Sequence, residues 1–96
     1  MEVYNLTARI RVTDPQRRAL ARKEMAQLQR LTRQEAKCLM FSIFEDQKRE
    51  GEFLLWESWE GKAGLDAHFA QAHTQRYLAL NLTEVVEFTE LNALEA

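Results

Sequence analysis

A chain of 96 residues, 46% hydrophobic and 29% charged, makes one small globular domain with no room for a second core. Its 13 basic and 15 acidic residues leave a net charge of −2, which argues against a nucleic-acid binder. The N-terminal MEVYNLTARIRV lacks the apolar core of a signal peptide and no run approaches membrane-spanning length, so a cytoplasmic protein with no membrane partner is expected.

From Val3 to Val12 the chain alternates, with Tyr4, Leu6, Ala8, Ile10 and Val12 on one face of a strand. Asp14-Pro15 is a helix-start signal, a capping carboxylate followed by a residue with preset φ. Leu20, Ala21, Met25, Leu28 and Leu31 then form a helical stripe reaching to about Gln34. Between Asp14 and Lys37 there are 7 Lys/Arg against 3 acids, a solvated basic face without interleaved aromatics for base stacking. Cys38–Glu45 (CLMFSIFE) and Phe53–Trp59 (FLLWESW) are strands joined across a charged hairpin loop with one glycine. Lys62 to about Ala70 is a short helix, and Thr74–Leu82 is a second helical stretch or a bent continuation of the first. Thr83–Leu91 is the last strand. The order β-α-β-β-α-β is ferredoxin-like: an α+β fold with one four-stranded antiparallel sheet and helices on one face, filling residues 1–96 with a core at about 4–91.

The two middle strands carry large apolar residues on both faces. Leu39, Phe41 and Ile43 oppose Cys38, Met40 and Phe44, and Phe53, Leu55 and Trp59 oppose Leu54 and Trp56. Helices cover one face only, so the other is expected to pack against a second copy as a homodimer.

The stretch FLLWESWEGKAGLDAHFAQAH (residues 53–73) holds both histidines, His68 and His73. On a continuous helix a five-residue spacing turns them about 140° apart, and no carboxylate–histidine cluster stands out nearby, so no metal site is expected. Cys38, at the head of an apolar strand, is expected to be inert packing, and Ser42 and Ser58 lie within strands without a nucleophile turn. With Leu65 and Phe69 packed down on the sheet, His68 falls at the edge of an aromatic pocket. There it is either a general base working near neutral pH or a hydrogen-bonded edge residue. His73 is either its partner or a capping residue where the helix breaks.

TRQEAKCLMFSIF (residues 32–44) resembles the segment that joins helix to strand in the antibiotic biosynthesis monooxygenase family, and residues 53–73 resemble that family's second signature. The family's histidine pair falls on His68 and His73, its strand-end aromatic on Trp59 and the acid before it on Glu57. Ala36-Lys37 stands where relatives often have Pro-Gly. The resemblance implies a dimeric α+β barrel with a cleft between sheet and helices. Relatives include cofactor-free oxygenases of polycyclic phenols and quinols, haem-degrading enzymes, and an isomerase of a phosphorylated sugar. Haem degradation is disfavoured, because Ala8 falls at that branch's Asn position, His68 at its Trp, and Asn5 is out of register.

The expected activity is therefore a cofactor-independent monooxygenase acting with O2 on a hydroxylated aromatic or quinol. His68 and His73 are its catalytic residues, and Trp56, Trp59, Glu57 and Phe69 bind substrate. The alternatives are a non-oxidative isomerase anchored by Arg9 or Arg76, and a non-catalytic ligand-binding or interaction domain.

Overall fold

Burial alternates along β1 (Val3–Val12): Leu6, Ala8, Ile10 and Val12 are buried beneath the helices while Asn5, Thr7 and Arg9 face the other way. The structure, a computed structural model, describes residues 2–95. Asp14 caps the next element as expected, its side chain accepting from the backbone N–H of Gln16 at 3.0 Å. A single 3-10 turn, Pro15–Arg17, leads into α1 (Arg18–Thr32). This helix buries Ala21, Met25, Leu28 and Thr32, and leaves Leu20 exposed.

The remaining elements are β2 (Cys38–Glu45), β3 (Glu52–Glu60), α2 (Gly61–Ala70), α3 (Ala72–Ala79) and β4 (Thr83–Leu91). They close a four-stranded sheet in the order β2-β3-β1-β4, antiparallel throughout, which is the ferredoxin-like arrangement. Gln29 and Arg33 fasten α1 to the edge strand β2. The Gln29 side chain accepts from Ile43 N at 2.8 Å, and Arg33 Nε donates to the Phe41 carbonyl at 2.8 Å.

The face assignments on β2 need correction. The pairing slips between Cys38↔Trp59 and Met40↔Ser58, which leaves Leu39 as an extra, exposed residue. Cys38 consequently turns inward to pack on the core with Phe41 and Ile43, rather than outward with Met40 and Phe44. On β3 the inward set is Phe53, Leu55, Glu57 and Trp59. Trp56 lies on the opposite face, 42% exposed, whereas Trp59 is fully buried. The outer face thus carries exposed Met40, Phe44 and Trp56, the apolar surface anticipated there.

One glycine governs how closely α2 lies on the sheet. A Cβ at Gly64 would come within 3.1 Å of the Lys37 Cβ and 3.2 Å of the Trp59 Cβ, so any side chain there would force its neighbours to give by a few tenths of an ångström. The strand-to-helix corner itself is Gly61, with φ at +71°. Together they carry α2 straight off β3 and set His68 above Trp59, with ring centroids 4.9 Å apart.

Candidate active site

The helical register that separates the two histidines is interrupted between them. Gln71 adopts an extended conformation, φ −68° and ψ 142°, which ends α2 and starts α3 on a new axis. The divergence expected of a continuous helix therefore does not occur. His68 and His73 both reach one oxygen of Glu35: Nδ1 of His68 lies 2.8 Å from Oε2 and Nε2 of His73 lies 2.7 Å from it. Thr74 Oγ1, at the start of α3, is 3.2 Å from the same Nδ1. Glu35 belongs to the turn between α1 and β2, pinned by its backbone N–H to the Thr32 carbonyl at 3.0 Å and by Cys38 N to its own carbonyl at 3.1 Å. Glu35 and Thr74 are the site residues that sequence reasoning missed. Glu35 stands inside the Thr-Arg-x-Glu run that carried the family resemblance, and that was the available signal.

His68 is packed among aromatic rings, with centroids of Trp59, Phe41 and Phe69 at 4.9, 5.5 and 5.6 Å. Burial is the leading influence on it and lowers its pKa below the ordinary histidine value, while the hydrogen bond and charge of Glu35 pull the other way. A neutral imidazole that donates Nδ1–H to the carboxylate keeps Nε2 as a lone pair, and Nε2 has no protein partner among the described residues. Such a group can accept a proton from a bound molecule.

The molecule would sit in a cavity of about 160 Å³ between sheet and helices, bordered by His68, Glu57, Phe41, Phe69, Tyr77 and Phe88 among others. That is close to the roughly 150 Å³ apolar cavity known to take up benzene, room for about one ring. A larger ligand must extend past the rim, where Phe69, Leu78 and Val85 are exposed. No Lys or Arg belongs to the lining among the described residues.

The sequence-predicted site residues divide accordingly. Glu57 is in the lining, 5% exposed, with Oε1 accepting from Trp59 Nε1 at 2.9 Å. Burial raises its pKa to about 7, against the opposing pull of the Trp59 hydrogen bond. Phe69 is a rim residue rather than one packed down on the sheet. Trp59 is a core residue beneath His68, outside the cavity wall, and Trp56 is on the far side of the sheet. His73 opens onto a separate groove between α1 and α3. Neither anchoring arginine reaches the cavity: Arg9 pairs with Asp46 and Glu52 on the outer side of the sheet, and Arg76 pairs with Glu24 on α1. Burial pushes the Cys38 thiol up to about 11, in keeping with inert packing.

Glu35, His68 and His73 also form a three-donor group of the kind that can hold a metal, their ligand atoms all within 4.8 Å of one another. The carboxylate oxygen lies 2.7 and 2.8 Å from the two nitrogens, which is hydrogen-bond spacing. Ligands of a tetrahedral zinc ion stand roughly 3.3 Å apart. The donor set fits a metal chemically, but its oxygen must withdraw by about half an ångström to admit one.

A ferredoxin-like α+β domain with a carboxylate-bound histidine over a small apolar cavity defines the class. The antibiotic biosynthesis monooxygenase family matches residues 3–80 of the sequence, and the chain belongs to that family. The uncharacterized protein YjcS of Bacillus subtilis is 33% identical over 63 residues, covering 66% of this chain and 60% of that protein. The uncharacterized protein sll1783 of Synechocystis is 32% identical over 47 residues, 49% of this chain and 32% of the relative. The matches thus span less than two thirds of either relative's length. Among solved structures, one of a protein YjcS superposes with a TM-score of 0.88 at 26% identity, covering 97% of this chain and all of that one. A crystal structure named as an antibiotic biosynthesis monooxygenase gives 0.84 at 27% identity over 96% and 99% of the two chains. Rv0793 from Mycobacterium tuberculosis gives 0.84 at 25% identity over 99% and 98%. In addition, no helix among the described residues is long and apolar enough to cross a membrane.

Proposed function

We propose that the protein is a cofactor-independent monooxygenase of hydroxylated aromatic or quinol-type molecules, with His68 as its general base. The observation that carries this reading is the His68–Glu35 pair at the wall of an apolar cavity: Nδ1 is committed to the carboxylate and Nε2 is the nitrogen left for substrate. A phenolic or activated ring proton passes to Nε2, and Glu35 stabilises the imidazolium that forms. The resulting electron-rich anion reduces O2 directly, and the apolar lining keeps water from quenching it. The volume favours a one-ring substrate, or a fused system whose second ring lies at the Phe69 and Val85 rim. An isomerase of a phosphorylated sugar is the weaker reading, since no cation lines the cavity among the described residues.

A homodimer through the outer sheet face is part of the same proposal, because Met40, Phe44 and Trp56 stand exposed there. The activity is tested by mixing chelator-treated protein with a panel of quinols and anthrone-like phenols and following O2 uptake. Uptake that His68→Ala lowers by about 100-fold or more supports the base. Uptake unaffected by that change removes it.

A further inference from the structure

Glu57 is a buried carboxyl on the floor of the cavity, with one hydrogen-bond donor, Trp59 Nε1, holding Oε1. Its other oxygen has no protein partner among the described residues, and no cation neutralises it. Buried carboxyl groups without a counter-charge are costly, and carboxyl groups perturbed by burial inside a cavity cluster at functional sites. Its titratable neighbours explain why it stays uncompensated. Glu35 approaches from the turn before β2 and opposes its ionisation. Tyr4 on β1 is held neutral chiefly by its hydrogen bond to Glu90 and Cys38 on β2 chiefly by burial, with Glu57 adding a smaller push to each, and His68 on α2 is biased neutral by burial. On β4, Glu84 and Glu90 are engaged by Arg11 and Tyr4, and on α3 Tyr77 is bonded to Thr83. The wall thus presents two proton-exchanging groups to one ligand, His68 from the helix layer and Glu57 from the sheet.

We propose that Glu57 is a second catalytic group, a carboxylic acid that protonates the peroxide formed from O2 and then, as carboxylate, removes the proton whose loss breaks the O–O bond. This rests on the oxygenase reading above. For a ring carbon bearing two hydrogens, His68 takes the first as a proton. The carbanion passes electrons to O2 and a C–O bond forms, giving a peroxide anion. Glu57 donates its proton to the terminal oxygen. The Glu57 carboxylate then removes the carbon's second hydrogen as a proton, and the C–H electron pair becomes the C=O bond. The O–O bond breaks, and the departing hydroxide takes the proton held by His68 and leaves as water. The sum is substrate plus O2 giving ketone or quinone plus water, with both side chains restored.

The test variant is Glu57→Gln, whose amide oxygen still accepts from Trp59 while the exchangeable acid is gone. With an anthrone-type probe, anaerobic formation of the substrate anion should stay within about two-fold of wild type. Oxygenated product should fall by about 100-fold or more, with free peroxide released in its place. Wild-type turnover with an unchanged Glu57→Gln rate overturns this role alone. A wild-type protein that consumes no O2 with any probe overturns the oxygenase reading and this role with it. Infrared difference spectra of wild type against Glu57→Gln, at pH about 5.5 and about 8.5, give a readout that needs no substrate. A carboxylic-acid C=O band present at the lower pH and lost at the higher is expected, and its absence at the lower pH also overturns the assignment.

Discussion

Replacing Glu35 with Gln isolates the charge that joins the two histidines. One oxygen accepts from His68 at 2.8 Å and from His73 at 2.7 Å, with the side chains of Glu35 and His68 each 6% exposed. The amide keeps the shape but loses the charge, and its NH2 group confronts N–H donors if it turns the wrong way. A hydrogen bond to a charged group is worth about 1.5–3 kcal/mol. Two that share an oxygen are not independent, so the combined loss is about 2–4 kcal/mol. In a domain of this size each kcal/mol lowers Tm by about 4–8 °C, which puts the variant on the order of 10 °C or more below wild type.

The same substitution should alter catalysis in a direction the structure defines. Glu35 raises the His68 pKa against the larger, opposing effect of burial. Without that charge the imidazole is a weaker base. Turnover should drop by roughly 10²–10⁴-fold, and the acidic limb of the kcat profile should move to lower pH. Scanning fluorimetry and O2 uptake across pH read both effects. A variant with wild-type Tm, rate and acidic limb would refute the pairing and the base assigned to it.

Trp59→Ala should cost about 3–5 kcal/mol in urea unfolding because the indole is fully buried, whereas Trp56→Ala should cost far less. Trp56→Glu should instead shift the sedimentation coefficient from dimer to monomer, and a wild-type protein that sediments as a monomer contradicts the outer-face interface. Gly64→Ala should destabilise by about 1–3 kcal/mol, since the new methyl meets Lys37 and Trp59 at 3.1–3.2 Å, and wild-type stability would mean α2 can lift freely. Glu57 titrates near 4.5 when unperturbed and at about 7 when folded, so folded protein binds the extra proton between those values. Its stabilising contribution is full below pH 4.5 and lost as pH rises through 7, about 3 kcal/mol in all, so Glu57→Gln should resist urea better than wild type at alkaline pH only. The His68 pKa is depressed instead, so its contribution is full above the ordinary histidine value and lost as pH falls toward the folded value, a loss that His68→Gln should remove.

The fold was legible because its determinants are local. Alternation in Val3–Val12 and the Asp14-Pro15 start each specify an element without help from distant residues. The faces of β2 were harder, because a single bulge at Leu39 inverts the parity of everything before it, and a bulge has no signature in a run of apolar residues. Trp56 and Trp59 differ by three positions, an odd number, so on an unbroken strand they must lie on opposite faces. Alternation along Phe53–Trp59 already set them so, and a substrate-binding role for both was at odds with that assignment. Glu35 was not readable from spacing, since its partners lie 33 and 38 positions away and meet it only after the tertiary fold forms.

The histidine pair shows how a short break can reverse the reading of a spacing. Five residues along one helix set two side chains on diverging directions, and that geometry excludes a shared partner. One extended residue, Gln71, redirects the axis so that His73 returns to the carboxylate His68 already holds. The break is built to persist: the Gln71 N–H caps the His68 carbonyl at 3.1 Å, and its own carbonyl accepts from Gln75 N at 3.0 Å. Thr74 is buried in the first turn of α3 against Nδ1 of His68, so the new helix begins on the ring it helps to orient. A continuous helix would keep His68 over Trp59 but turn His73 and Thr74 away from it, and Glu35 would hold one imidazole instead of two. The helix break therefore belongs to the site itself, since it decides how many donors the carboxylate collects.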